Sequence, residues 1–435
     1  MILQKTPGFS QEKWGEAAAD APHRLESLVP RNLSLYGVAL FVIGLAVFGS
    51  GYRAARLGVG ETLVHPFLFV VGAIAPLVLL TRLHHFPTST LFAFGGFLLT
   101  YVCSTFQATE SGLTDTLKLG SSLFAIATIA LAVRSQQDFA LGTFGLMLGV
   151  AGMAFFALQE DPTGEGAIRN VLDSGNKNAY SLYALPAILL AGFVVVHQRE
   201  TSLLIKAPLI VAAIISLLGI YTSANRSGYV CALLIAFMLF WRRKGMGLVV
   251  VLGVVISVGY VLNTYLGTQV LEHRLEETRE GIKSDDLRVA LGFSCLELGL
   301  NNPLLGVSPQ ELPWELGRRV GMEYFGWSNV DPHNVFGYVV AGSGVICFAA
   351  FIYIGWSLWM WNPHRVKKYQ LSENFVNARK LIRMLLVLYI ARGLFTREIL
   401  YNPGFIIAMG LSIGWCIVNV GPRRIAEDLS AGEVA

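Results

Sequence analysis

Charged side chains are scarce in this chain. Of its 435 residues, 14% are Asp, Glu, Lys or Arg, whereas 54% are hydrophobic and the mean hydropathy is +0.56. Soluble globular domains carry about 25% charged residues, so this composition excludes a soluble protein of the ordinary kind. It predicts an integral membrane protein that crosses the bilayer many times.

Cysteine is also rare, and its distribution excludes two classes of stabilising site. No two cysteines form a C-x-x-C pair, and the five lie far apart along the chain, at Cys103, Cys231, Cys295, Cys347 and Cys416. Neither a disulfide framework nor a zinc site is expected from such spacing. The basic residues form no cluster with interleaved aromatic residues, so nucleic acid is not an expected partner.

Long apolar runs are what the chain has in abundance. A helix needs about 20 residues to cross roughly 30 Å of hydrocarbon. Twelve runs reach or approach this length, at 33–51, 62–81, 86–106, 113–133, 139–158, 179–197, 203–221, 227–241, 247–266, 333–360, 381–396 and 402–420. The sequence therefore predicts an all-α polytopic protein of about 12 transmembrane helices, surrounded by membrane lipids.

Lys and Arg in the short connections predict the orientation, because positive flanks resist translocation. Eighteen of them fall on the side of the N-terminal segment and seven on the other side. No small-residue cleavage site follows the first run, so we expect an uncleaved span. The predicted organisation is a cytoplasmic segment (1–32), spans 1 to 9 (33–266), an external loop (267–332), spans 10 to 12 (333–420) and a cytoplasmic tail (421–435).

The external loop is the main polar interruption of the chain, and loops of this length usually serve a function. It ends in Asp331, Pro332, His333 and Asn334, where the tenth span begins. A histidine titrates close to neutral pH, which suits a general base at the membrane surface. Asp331 could orient that histidine with Asn334 beside it, or it could simply cap the helix that follows.

Two arginines on the same outer side are candidates for binding an anion. Arg226 stands in a tight turn among small residues, where it could bind a bulky anion or merely reach the lipid head groups. Arg288 follows Asp285 and Asp286, either of which resembles a helix N-cap. A guanidinium near a helix start suits phosphate, although a surface salt bridge would also explain it.

Three more cations on this side are weaker candidates for binding a diphosphate: Lys177, Arg392 and Arg397. The glutamates between Leu271 and Asp286 show no spacing that is diagnostic of a metal site. They are typical of a solvated helical face, and no metal ligand is predicted.

Several segments, in this order, resemble the O-antigen ligase and polymerase family of bacterial envelope glycosyltransferases. They are TSANRSG at 222–228, DLRVALGF at 286–293, NNPLLGVSP at 301–309 and HNVFGYVVAGSGVICF at 333–348, with GNKNAYSLYALP at 175–186 as a weaker match. The chain departs from the family pattern at two places. Asn225 stands where a serine is common, and Gly292 and Phe293 replace an aromatic residue that commonly follows the loop arginine by a few positions. The arginines and the histidine are retained.

The resemblance implies transfer of a glycan from an undecaprenyl diphosphate carrier to an acceptor at the periplasmic face of the bacterial inner membrane. The external loop would then be a periplasmic catalytic loop. Arg226 and Arg288 would stabilise the departing diphosphate, and His333 would deprotonate the acceptor hydroxyl in an inverting displacement. No DxD-type motif stands at the outer ends of the early spans, so we expect no metal ion and no other cofactor.

Three functions fit this reading. The favoured one is an O-antigen ligase that joins O-antigen to the sugars of lipid A-core. Family members that act on proteins tend to have an added soluble C-terminal region, whereas only residues 421–435 follow the last predicted span here. An O-antigen polymerase uses the same donor and is the nearest alternative. A flippase for lipid-linked oligosaccharides belongs to another class, but transporters usually contain two related halves, and no such repeat is found.

Overall fold

A computed structural model describes residues 34–51, 65–107, 112–160, 179–198, 201–223, 225–240, 282–321, 328–361 and 373–419. Within these ranges the chain is helical and contains no β-strand, as predicted. The α-helices are α1 (Leu35–Leu45), α2 (Val47–Gly51), α3 (Pro66–Arg82), α4 (Thr88–Thr105), α5 (Gly112–Ala132), α6 (Gln136–Glu160), α7 (Ala179–His197), α8 (Leu203–Thr222), α9 (Arg226–Phe240), α10 (Ile282–Asn301), α11 (Leu312–Leu316), α12 (Val335–Trp359), α13 (Glu373–Gly393) and α14 (Pro403–Asn419). Short 3-10 helices occupy Leu83–His85 and Glu398–Tyr401, and a π-helical turn occupies Gly317–Gly321.

The predicted spans coincide with helices to within four residues wherever the structure describes them, except the eleventh. That span was expected at 381–396, whereas α13 runs from Glu373 to Gly393 because its first turns are charged. Seven of the described helices are long and apolar enough to cross a membrane, and three shorter apolar helices accompany them. The ninth predicted span, 247–266, and the two terminal segments lie outside the described residues, so the number of about 12 spans stays a prediction.

Burial separates central helices from peripheral ones. Helix α14 is buried along almost its whole length, and 83% of the apolar window of α7 is buried. Both helices carry apolar residues on every side, which is the pattern of a helix surrounded by other helices. In contrast, only 22% of the window in α3 and 28% of that in α8 are buried. Their remaining apolar surface is suited to contact with lipid.

Glycine permits a close helix crossing between α1 and α6. A Cβ atom on Gly44 would overlap the backbone of Gly145 and Leu146, and one on Gly145 would overlap the backbone of Phe41. Small residues at helix crossings let two backbones approach closely, which strengthens packing where water provides no hydrophobic driving force.

Helix α10, which belongs to the predicted external loop, packs along the first half of α12. Its inner side consists of Leu291, Cys295 and Leu298, all buried. A Cβ atom on Gly337 would lie 3.1 Å from that of Cys295, and one on Gly299 would lie 2.9 Å from Val340 Cγ2. The two helices therefore run parallel, with increasing residue numbers side by side.

The start of α10 corrects one expectation. The helix begins at Ile282, so Asp285 and Asp286 lie within it and are not its N-cap. Arg288 consequently lies in the second turn rather than at the helix start. The predicted cap was wrong because an aspartate is favoured both at an N-cap and in the first turn of a helix.

The turn after α10 fits into a break in α12. The break is at Gly344, whose backbone has φ 80° and ψ 171°. There Val345 N–H donates to the carbonyl of Pro303 at 2.8 Å, and Val307 N–H donates to that of Ala341 at 2.9 Å. These bonds satisfy backbone groups of the break and of the turn. The motifs at 301–309 and 333–348 therefore pack against each other.

The bundle has two chemically different ends. The end that we call the basic end carries Arg82, Arg134, Arg379 and Lys380, all predicted to be cytoplasmic. The opposite end, called the site end, contains the starts of α7, α9, α12 and α14 and the ends of α4, α8 and α13. Every predicted site residue that is described lies at the site end or on α10; which compartment each end faces stays a prediction.

Candidate active site

His333 lies in a tight turn immediately before α12. Its backbone has a φ of 53°, in the left-handed region that residues other than glycine rarely adopt. The turn is fixed because His333 N–H donates to Asp331 Oδ1 at 3.0 Å. The imidazole is exposed. Strained backbone conformations of this kind cluster at functional sites.

Asp331 has a second partner, which sequence reasoning did not find. Its Oδ2 lies 2.7 Å from Nε of Arg397, and the Arg397 and Asp331 side chains are 31% and 35% exposed. Asn334, rather than Asp331, caps α12, because its Oδ1 accepts from Gly337 N–H and its backbone is extended. The alternative interpretation, in which Asp331 caps this helix, was therefore wrong, because a cap directly precedes the first helical residue, which is Val335.

A cluster of three tyrosines lies beneath the ion pair. The guanidinium of Arg397 is 4.9 Å from the centroid of the Tyr338 ring. The Tyr338 hydroxyl lies 3.0 Å from that of Tyr101, which lies 2.8 Å from that of Tyr401. Tyr101 and Tyr338 are buried. These hydroxyls satisfy one another in an otherwise apolar region, as buried tyrosines require.

The surroundings of Arg397 favour its charged form. Burial is the largest single influence and lowers the pKa of this guanidinium, but Asp331, Tyr338, Tyr401 and Asp115 together raise that pKa more than burial lowers it. The net effect is a pKa above the ordinary value of arginine. Arg397 is thus a permanent cation that is already neutralised by a carboxylate.

Arg392 belongs to a second polar network, five residues earlier in the chain. Its side chain is fully buried and donates to the hydroxyl of Ser227 and, at 2.9 Å, to that of Ser181. Asn225 Nδ2 donates to the same Ser181 oxygen at 2.7 Å. Asn225 Oδ1 accepts from Gly228 N–H at 3.2 Å and so caps α9. This network joins the starts of α7 and α9 to the end of α13.

The structure brings some predicted residues together and leaves others apart. His333, Asp331 and Arg397 form one contact chain, with Asn334 as the cap beside it. Arg226 is the first residue of α9, next to the Arg392 network, but its side chain lies outside the part that the structure describes. Lys177 also lies outside the described residues.

Arg288 is exposed on α10. The pairing of Cys295 with Gly337 fixes the register of α10 on α12, and Arg288 precedes Cys295 by two helical turns, or about 10 Å. Arg288 therefore lies on the N-terminal side of the first residue of α12, at about the level of the turn that contains His333.

The tyrosine cluster was missed by sequence reasoning. Tyr101, Tyr338 and Tyr401 stand in or beside apolar runs, where phenylalanine would pack equally well. A hydroxyl in such a place signals a buried polar partner, but the partners come from three different helical segments. Among the described residues, no three His, Cys, Asp or Glu side chains are grouped so that they could hold a metal ion.

Residues 211–352 match the sequence model of the O-antigen ligase family. This match confirms the resemblance predicted from the sequence, and it includes Arg226, Arg288, Asp331, His333 and Asn334. The family implies a membrane-integral enzyme of the glycosyltransferase type, with a lipid-linked glycan donor and a lipid acceptor in general terms. No curated protein matches the chain.

Proposed function

We propose that this protein is an O-antigen ligase of the bacterial inner membrane. It transfers O-antigen polysaccharide from undecaprenyl diphosphate to a sugar hydroxyl of lipid A-core at the periplasmic face and so completes lipopolysaccharide. The observation that carries the proposal is an exposed histidine at positive φ, beside an Asp331–Arg397 ion pair, within the segment that matches the ligase family.

His333 is the general base of this reaction. As the acceptor oxygen attacks the anomeric carbon, the hydroxyl proton passes to the imidazole, and the bond between that carbon and the diphosphate oxygen breaks. Attack from the side opposite the diphosphate inverts the anomeric centre. A positioned base typically contributes about 10² to 10⁴ in rate. The exposure of the His333 imidazole supports this role, because the acceptor must reach it.

Arg226 and Arg288 stabilise the charge that develops on the leaving diphosphate. Arg226 occupies the first position of α9, where the positive end of the helix dipole also favours an anion. Arg288 is exposed on α10, which packs against the helix that begins after His333. Fixed cations stabilise a departing anion without the cost of reorganising solvent.

The remaining cations have separate tasks in this proposal. Arg397 acts through Asp331, whose carboxylate holds the His333 turn, and is therefore a positioning residue. Arg392 holds Ser181 and Ser227 and so fixes the turn that presents Arg226. Lys177 provides a further contact to the diphosphate. The reaction needs no metal ion, so a chelator should leave the ligation rate in washed membranes unchanged.

The test is the lipopolysaccharide profile of a strain that lacks this protein. A missing ligase leaves bare core and accumulates carrier-linked O-antigen, and the wild-type protein restores the full ladder. Core with a single repeat would indicate a polymerase, and units trapped on the cytoplasmic side would indicate a flippase. Either of the last two outcomes would overturn the proposal.

A further inference from the structure

A large apolar cavity lies inside the helical bundle and extends from Phe336, three residues after His333, to Trp359 near the basic end. Its volume is about 380 Å³, and it is enclosed by α4, α5, α12, α13 and α14 and the short helix at Glu398–Tyr401. The side chains that line it are apolar except for the hydroxyls of Ser122 and Tyr389 and the indole N–H groups of Trp356 and Trp359. Its volume falls in the range of about 300 to 1,000 Å³ that small-molecule pockets occupy.

The cavity opens sideways between α12 and α13. Three of its lining residues are about half exposed, namely Ile352 at 46%, Trp356 at 57% and Ile390 at 51%. Ile352 and Trp356 belong to α12, which is long and apolar enough to cross a membrane, and Ile390 lies in the predicted eleventh span. The opening therefore faces the region where lipid chains surround the bundle. A hydrocarbon chain can therefore enter without crossing water.

Two arginines stand where the cavity approaches the basic end. Trp359 lines the cavity, and the guanidinium of Arg383 lies 5.2 Å from its ring centroid. The carbonyl of Trp359 accepts from both Arg379 and Arg383, at 3.4 and 3.2 Å from their Nη2 atoms. Neither arginine has a carboxylate partner among the described residues, so two positive charges share one neutral acceptor.

At the other end, the cavity is closed toward the candidate active site. The rings of Phe336 and Phe351 lie 6.1 Å apart, and Ile399 is fully buried. Tyr101 contacts Phe97, which lines the cavity, and Tyr338 contacts Arg397. The hydrogen-bonded tyrosines therefore lie next to this wall of the cavity, on the side of the Asp331–Arg397 pair. A molecule in this cavity would accordingly have its polar end at Arg379 and Arg383.

We propose that the cavity binds an acyl chain of an anionic phospholipid, whose phosphate lies against Arg379 and Arg383. Guanidinium forks bind phosphate oxygens with paired hydrogen bonds, and basic pockets between transmembrane helices are suited to anionic head groups. Trp359 contributes an indole at the level where chain and head group meet. The lipid comes from the leaflet at the basic end and is distinct from the glycan donor and acceptor.

The experiment measures lipid binding to the purified full-length protein in detergent. The probe is palmitoyl-oleoyl phosphatidylglycerol, titrated by native mass spectrometry and by the shift of the unfolding temperature, with phosphatidylcholine and undecaprenyl phosphate in parallel. Two variants test the cationic part and the apolar part of the site separately. Arg379→Gln with Arg383→Gln removes the charges, and Gly355→Phe fills the cavity, since a Cβ atom there meets nothing within 4 Å.

Matched controls separate this site from general effects. Lys206→Gln removes a cation at the same end but away from the cavity, and Gly72→Phe adds the same ring at another glycine whose Cβ would meet nothing. We expect phosphatidylglycerol to bind the wild type and both controls with equal affinity. The arginine double variant should bind it about 25-fold more weakly, roughly fivefold for each guanidinium, and Gly355→Phe should abolish binding.

Other results would overturn the proposal. Equal binding of phosphatidylglycerol to all variants would show nonspecific lipid association, and equal binding of phosphatidylcholine would remove the role of charge. Preferred binding of undecaprenyl phosphate, lost in Gly355→Phe but kept in the arginine variant, would assign the cavity to the carrier lipid. None of these readouts depends on ligation activity, so the result stands apart from the proposed reaction.

Discussion

The two ends of the bundle use arginine in different ways. At the basic end, arginine partners are mainly backbone carbonyls: Arg82 donates to the carbonyls of Leu131 and Val133 at 2.9 and 3.0 Å, and Arg383 donates to that of Trp359. These carbonyls belong to the last turns of α5 and α12 or follow them directly, where the helix leaves acceptors without a partner. Cations are also favoured there by the helix dipole.

At the site end, the partners of Arg392 and Arg397 are side chains. Arg397 pairs with the carboxylate of Asp331, and Arg392 donates to the hydroxyls of Ser181 and Ser227. Each partner also holds a turn that carries a candidate catalytic residue, His333 or Arg226. Contacts at the basic end thus complete helices, whereas contacts at the site end fix loops in positions that helix formation alone does not require.

The largest effect is expected at His333. Replacement of His333 by Gln removes the proposed base, and the ligation rate per folded molecule should fall by about 10² to 10⁴. The rate is measured with purified protein, lipid-linked O-antigen and lipid A-core. His84→Gln at the basic end serves as control and should retain full activity, and an unchanged rate in His333→Gln would refute the assigned role.

Arg288→Gln should lower the rate by about 10² to 10³, the usual cost of losing one group that stabilises transition-state charge. Arg288→Lys keeps the charge but not the fork, so it should recover only part of that loss. Arg318, on the same loop, is exposed and pairs with Glu315, so Arg318→Gln should behave as wild type. Equal ligation rates of Arg288→Gln and Arg318→Gln would refute the proposed role of Arg288 in stabilising the leaving diphosphate.

Gly344→Leu tests the break in α12. A Cβ atom at Gly344 would lie 2.7 Å from the carbonyl of Leu304, and the left-handed backbone disfavours any side chain. We expect a loss of about 3 kcal/mol in the free energy of unfolding, measured as a lowered unfolding temperature. Gly292→Ala in α10, where a Cβ atom meets nothing, should be neutral or slightly stabilising. Equal stability of the two variants would mean that the turn at 302–309 does not depend on the break.

Tyr101→Phe should have the smallest effect. It removes the hydroxyl that joins Tyr338 to Tyr401, which should lower the free energy of unfolding by about 1 to 2 kcal/mol. Because Tyr101 has no direct contact with Asp331, the ligation rate per folded molecule should change less than threefold. A rate loss as large as that of Arg288→Gln would mean that the tyrosines take part in the reaction.

Most helices were predictable because apolar runs of membrane length admit few other structures. The position of His333 was also accessible, since D-P-H-N interrupts the apolar pattern directly before a helix. The sequence could not distinguish the tasks of Asp331 and Asn334, because both residue types are good caps. Only the observed start of α12 at Val335 assigns the cap to Asn334.

Contacts between distant segments were not predictable. The pairing of Asp331 with Arg397 and the burial of Arg392 depend on the end of α13 lying beside the start of α12, where a Cβ atom on Gly393 would be 2.7 Å from Val335 Cγ1. From the sequence, Arg392 and Arg397 were indistinguishable outer cations that suited a diphosphate. Their binding of diphosphate stays a prediction, and the structure gives both side chains protein partners.

The most direct test of the difference between the two ends compares Arg397→Gln with Arg82→Gln, each measured for ligation rate per folded molecule and for unfolding temperature. We predict that Arg397→Gln lowers the rate by about 10- to 100-fold, since His333 loses its position, with little change in unfolding temperature. Arg82→Gln should lower the unfolding temperature, through a loss of about 1 to 3 kcal/mol, and leave the rate unchanged. The opposite pattern, or equal effects of both variants on both quantities, would contradict the account.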